Sequence, residues 1–175
     1  MIGTTRYNNE TWLQSSNYRE RNQIPCMYCS PAPLTCKLAI NDPLFIIEMN
    51  NSTNKILGIG YIRNTYETGR YYKVYDDTNY NRYVYKGSFR IDRRILETEN
   101  PRLLDILDFI LFKGKTHLKR GKGITLFPEK LKKHDICKEV DLLREIQTLF
   151  RQSFPLLKEK EETKQEETNI KNLSL

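Results

Sequence analysis

The chain has 175 residues, with 29 Lys and Arg against 22 Asp and Glu, for a formal net charge of +7. That length suits one domain of ordinary size, and a 38% hydrophobic, 11% aromatic composition excludes a wholly disordered chain. The basic excess favours polyanionic partners, RNA or DNA first.

No stretch approaches the ~20 apolar residues of a membrane span. The best run, around Ile106 and Phe112, is broken by Asp105, Asp108 and Lys113. The opening MIGTTRYNNETW lacks the apolar core of a signal peptide, and Gly3 is not placed for myristoylation. These features predict an intracellular protein without a membrane partner. Four cysteines in this length do not make a disulfide scaffold.

Residues 1–23 are polar and read as an N-terminal arm, with Trp12 and Leu13 as anchors. Residues 24–43 carry Pro25, Pro31, Pro33 and Pro43 together with three of the four cysteines, which argues against long regular elements. Residues 44–49 (LFIIEM) and 55–63 (KILGIGYIR) read as two strands of a hairpin across the polar loop 50–54. Gly58 and Gly60 share one face of the second strand, and a face without side chains lets a backbone, helix or ligand come close. Residues 61–85 hold eight of the eleven tyrosines. Short strands are expected at 71–75, 82–85 and 88–91. Asn100 and Pro101 make a good helix start, followed by Leu103, Leu104, Ile106, Leu107, Ile110 and Leu111 at helical spacing. A last amphipathic helix is expected from a cap at Asp135 through Ile136, Val140, Leu143, Ile146, Leu149 and Phe150 to Pro155. Residues 158–175 (KEKEETKQEETNIKNLSL) read as a charged, disordered tail. The fold class is therefore α+β: one globular domain over 24–157, with a small, strongly curved, mostly antiparallel sheet or pseudobarrel and two to three packed helices.

Two basic regions carry the functional expectation. Residues 113–138 hold nine Lys and Arg against Glu129 and Asp135. Within them Lys113, Lys115, Lys119, Arg120 and Lys122 alternate with Gly114, Gly121 and Gly123. Glycines let a backbone approach phosphate, and the cations supply a salt-sensitive attraction. The order does not match a P-loop. The second region combines Arg82, Lys86 and Arg90 with Tyr83 and Tyr85. Aromatic platforms stack bases while cations hold the backbone. A regular strand puts Tyr83 and Tyr85 on one face and Arg82, Val84 and Lys86 on the other.

Other chemistry is sparser. Cys26 and Cys29 form a CxxC pair, Cys36 is the candidate third zinc ligand, and Cys137, with His134 or His117 as alternatives, the fourth; the cofactor expectation is none or zinc. Asp76, Asp77, Asp92 and Glu48 are the carboxylates from which a metal-dependent nuclease would be built. No spacing singles them out, and the leading expectation is a nucleic-acid-binding module without catalytic activity. A structural or assembly protein, meeting protein partners through the Tyr-rich surface, is the other alternative.

The run FIIEMNNSTNKILGIGYIRN and the basic, Tyr-rich strands after it resemble the PUA-like barrel superfamily, particularly its EVE- and ASCH-type modules, over about residues 43–95. The resemblance implies a small pseudobarrel that binds RNA or modified nucleic acid in a cleft lined by aromatics. It implies that Gly58, Gly60 and Tyr61 lie near that cleft and that Trp12 stacks on a base.

Overall fold

The computed structural model describes residues 1–34, 37–115, 117–137 and 140–155, with the backbone alone at Lys132. The chain is α+β. A mixed five-stranded sheet runs in the order β6-β4-β3-β1-β7, and a separate two-stranded ribbon pairs β2 with β5. The strands are β1 (Ile2–Tyr7), β2 (Cys26–Ser30), β3 (Pro43–Asn50), β4 (Lys55–Arg63), β5 (Tyr83–Gly87), β6 (Phe89–Asp92) and β7 (Thr125–Leu126). The helices are α1 (Asn9–Arg21), α2 (Arg93–Glu99), α3 (Pro101–Phe112), α4 (Glu129–Lys132) and α5 (Leu142–Ser153).

The hairpin forms where the apolar runs place it. β3 and β4 pair antiparallel, with Phe45 opposite Tyr61 and Ile47 opposite Ile59. The turn needs one residue fewer than expected. Asn50 stays in β3, and its side-chain carbonyl accepts from the Ser52 and Thr53 N–H groups. A bulge between Glu48 and Met49 takes up Leu57 and restores the apolar face at Ile56.

Residues 1–23 are not an arm. β1 lies inside the sheet, parallel to β3 from Ile2↔Phe45 to Tyr7↔Asn50 and antiparallel to β7. Its threonines are buried, and Thr4 shares a hydroxyl contact with Thr125 at 3.1 Å. α1 follows from a capping box: Asn8 accepts from the Thr11 N–H at 2.7 Å, and the Thr11 hydroxyl accepts from the Asn8 N–H. The proline-rich segment does contain a strand, β2, which lies between prolines and is buried throughout.

The strand expected at 71–75 does not form. A buried asparagine takes the place of a neighbouring strand there. Asn81 Oδ1 accepts from the Val74 and Tyr75 N–H groups at 3.1 and 2.9 Å, and its amide donates to the Tyr75 carbonyl at 2.7 Å. The last helix starts later than expected. Asp141, not Asp135, caps it by accepting from the Leu143 and Arg144 N–H groups, while Asp135–Cys137 forms a 3-10 turn. The expected tail at 158–175 lies outside the described residues.

The core is layered. Phe45, Ile47, Ile59, Tyr61 and Ile91 turn one face of the sheet toward α2, α3 and α5. The register places Ile46, Glu48, Gly58, Gly60 and Arg90 on the opposite face, which the β2–β5 ribbon covers. Arg93 ties the helices to the sheet, donating to the Ile56 carbonyl and pairing with Asp108 at 2.9 Å.

Candidate nucleic-acid interface

The face left open by Gly58 and Gly60 is filled from within the chain. A side chain at Gly60 would run into the Tyr28 ring, and one at Gly58 into Arg90 and the Ile91 carbonyl. Tyr28 thus crosses from the ribbon and donates to Glu48 Oε1 at 2.8 Å. Arg90, two residues from Asp92 on the edge strand, grips the same carboxylate through Nε at 2.9 Å and Nη2 at 2.7 Å. Its Nη1 reaches Asp92 at 3.0 Å. Glu48 is 1% exposed. Burial works against the Arg90 charge, but the Glu48 carboxylate outweighs it and holds the guanidinium above its ordinary value. Arg90 therefore belongs to an internal ion pair with Glu48 and Asp92.

The other cations and aromatics of the Tyr-rich strands are largely committed as well. Lys86 donates to the Tyr72 hydroxyl at 2.7 Å and pairs with Glu67 at 3.3 Å. Tyr85 is buried, and its hydroxyl accepts from the Leu34 N–H at 2.8 Å. Tyr83 is half-buried and meets Tyr66 edge-on at 5.1 Å. The expected alternation holds, since Tyr83 and Tyr85 join one apolar cluster and Val84 another. Tyr85 and Val84 are buried in these clusters, while the partly buried Tyr83 packs against the first of them. Arg82 is exposed.

The cysteines are dispersed. Cys26 and Cys29 sit on opposite faces of β2, in different apolar clusters, and Cys137 lies in a third. Burial pushes the Cys26 and Cys29 thiols up to about 12, which disfavours the thiolates a zinc ion needs. Among the described residues no three His, Cys, Asp or Glu side chains gather for a metal; Cys36 lies outside them. The carboxylates are equally scattered. Glu48 and Asp92 share Arg90, while Asp76 and Asp77 line a different cavity.

The loop after α3 is different. Lys113, Lys115, Arg120 and Lys122 are exposed and Lys119 is half-exposed. Lys113 lies 5.6 Å from the Phe109 ring. The other four make no ion pair with a described carboxylate. Their backbone is nevertheless fixed. The Leu118 N–H donates to the Leu111 carbonyl at 2.9 Å, Arg6 Nε donates to the Leu118 carbonyl, and the Asn51 amide donates to the Lys119 carbonyl at 2.9 Å. Gly123 closes the loop at φ 60°, against Ser30 and Pro31 where no side chain would fit. The sequence displays the cations but hides their supports. Arg6 and Asn51 stand alone in polar stretches, and nothing in their spacing links them to residues 118–119.

Arg6 also lines a cavity of about 360 Å³ beside the start of α1. Tyr7, Cys29 and Tyr75 form its buried walls, and Glu10, Asp76 and Asp77 supply carboxylates. Burial lowers the Arg6 guanidinium below its ordinary value. Trp12 lies outside this cavity, in a second depression on the other side of α1. Comparison with known proteins matches no family model, no curated protein and no solved structure. Among the described residues no helix is long and apolar enough to cross a membrane.

Proposed function

We propose that this chain is a nucleic-acid-binding module that holds phosphates on the loop at 113–122. One observation carries the reading: Lys115, Lys119, Arg120 and Lys122 project without described carboxylate partners from a backbone pinned by Arg6 and Asn51. Preorganised cations lose less conformational freedom on binding than mobile ones. The cavity reached through Arg6 supports a companion role for a single base. Its tyrosine walls suit a planar ring, and its carboxylates accept from amino groups on a base edge while repelling phosphate. The ribbon leaning on the sheet at Gly87 and Tyr61 is in keeping with a curved, PUA-like pseudobarrel.

The test is a titration against RNA, single-stranded DNA and duplex DNA at two salt concentrations. Reversing Lys119, Arg120 and Lys122 to Glu should weaken binding by at least a hundredfold at low salt, given three lost phosphate contacts and the added repulsion. Unchanged affinity in that variant removes the loop from the proposal. Stable self-association with no nucleic-acid affinity would favour an assembly role.

A further inference from the structure

Arg19 is 8% exposed, and buried arginines are rare without an acidic partner. No described carboxylate lies within ion-pair distance of it. Among the described residues its guanidinium makes one hydrogen bond, from Nη1 to the Pro25 carbonyl at 3.1 Å. A guanidinium carries five N–H donors, so most of its capacity is unspent. Its Cζ lies 5.0 Å from the centre of the Trp12 ring, two turns back along α1. That contact partly offsets desolvation but satisfies no donor.

Arg19 opens on a depression of about 780 Å³ shared with Trp12, Ser16 and Arg94. Arg94 is exposed and makes no ion pair with a described carboxylate. Two acids also line the depression. Asp92 is already engaged, accepting from Arg90 Nη1 and from the Arg94 N–H. Glu20 is exposed at the rim, where water screens it. Arg90 lines the space as well, its Cζ 5.5 Å from the Trp12 ring centre, but its donors are taken by Glu48 and Asp92. The guanidiniums free to meet a ligand there are therefore the buried Arg19 and the exposed Arg94.

We infer that this depression is a site for a phosphate-class oxyanion, held by Arg19 and Arg94 and separate from the loop at 113–122. Planar guanidinium forks match phosphate oxygens in paired, charge-assisted hydrogen bonds. The oxyanion reaches the site either as a small free phosphate or as part of a nucleic-acid backbone.

Trp12 is the only tryptophan in the chain, so its emission reports on the site directly. The full chain is titrated with inorganic pyrophosphate at constant ionic strength, with chloride as the balancing salt, and in parallel with a single-stranded oligonucleotide. A saturable change in emission is expected. Arg94→Gln should weaken it roughly tenfold or more, and Arg19→Gln should abolish it. The Lys119, Arg120 and Lys122 reversal should leave the pyrophosphate response intact. A response to pyrophosphate assigns a small-anion site. A response to the oligonucleotide alone, with the same dependence on Arg94, assigns a backbone phosphate. If Arg19→Gln loses the native circular dichroism spectrum, the exposed Arg94 variant decides. No saturable response to either probe, or an Arg94→Gln titration that overlays the parent, overturns the inference.

Discussion

Replacing Glu48 by Gln tests whether the face beside Gly58 and Gly60 is a structural seam or a binding surface. Glu48 accepts from the Tyr28 hydroxyl and from two nitrogens of Arg90, all within 3.2 Å, and is almost completely buried. Gln keeps one carbonyl for these donors but turns an amide toward Arg90. Breaking a buried pair by removing one partner costs about 3–5 kcal/mol. Arg90 retains Asp92 and is 12% exposed, so the low end, about 3 kcal/mol, is expected. For a chain of this size that is a fall in melting temperature of roughly 6–12 °C. Urea unfolding followed by circular dichroism measures the free-energy change, and a thermal melt the shift. Nucleic-acid affinity of the folded variant should equal that of the parent. A loss below about 1 kcal/mol, or a gain in affinity as Arg90 is released, would refute the assignment of Arg90 to the interior.

Neutralising Lys119, Arg120 and Lys122 to Gln should flatten the salt dependence of single-strand binding. With four phosphate contacts the slope of log affinity against log salt is about −2.8, and with Lys115 alone it is about −0.7; a slope that stays steep places the contacts elsewhere. Asn81→Leu should cost about 3 kcal/mol or more by stranding the Val74 and Tyr75 amides and the Tyr75 carbonyl, read from the urea midpoint. Gly60→Ala should displace Tyr28 and destabilise by about 1–3 kcal/mol; a melt matching the parent would mean the ring is not seated there. Cys26 and Cys29 should resist alkylation at pH 8 until the chain is unfolded, as peptide mapping of the labelled thiols would show. Because their folded thiols titrate near 12 against an ordinary value of 9.0, the unfolded chain loses those protons first. Stability should therefore fall as pH rises from about 9 toward 12.

The hairpin and α3 were legible because their signals are local. Ile46, Ile47, Ile59 and Ile62 sit in runs of strand-forming residues, and Asn100 with Pro101 marks a helix start in adjacent positions. β1 and α1 were not, because their burial depends on partners elsewhere. Thr4 and Thr5 are polar residues made interior by β3 and β7, and the α1 capping box uses Thr11 where Glu or Gln is the usual signal. The paired glycines on β4 correctly announced a close approach. Their occupants, Tyr28 and Arg90, lie about thirty residues away on either side, beyond any windowed pattern. Charge density alone revealed the loop at 113–122. It overstated the Tyr-rich strands, since composition counts Lys86 and Arg90 as cations without showing Glu67 and Glu48 beside them.

The interior place of β1, between β3 and β7, bears on the order in which the chain can fold during synthesis. β1 emerges ahead of both its partners, and its β3 edge can be covered once residue 50 is made. Its other edge waits for Thr125, 121 residues downstream of Thr4. Until then the nascent chain carries an open strand edge of the kind that recruits a second chain, and such distant pairing closes slowly. A truncated product ending before β7 would keep that edge permanently open and leave Arg6 without Thr125. Incomplete copies of this chain should therefore associate with one another, while the finished chain seals the edge with its own late strand.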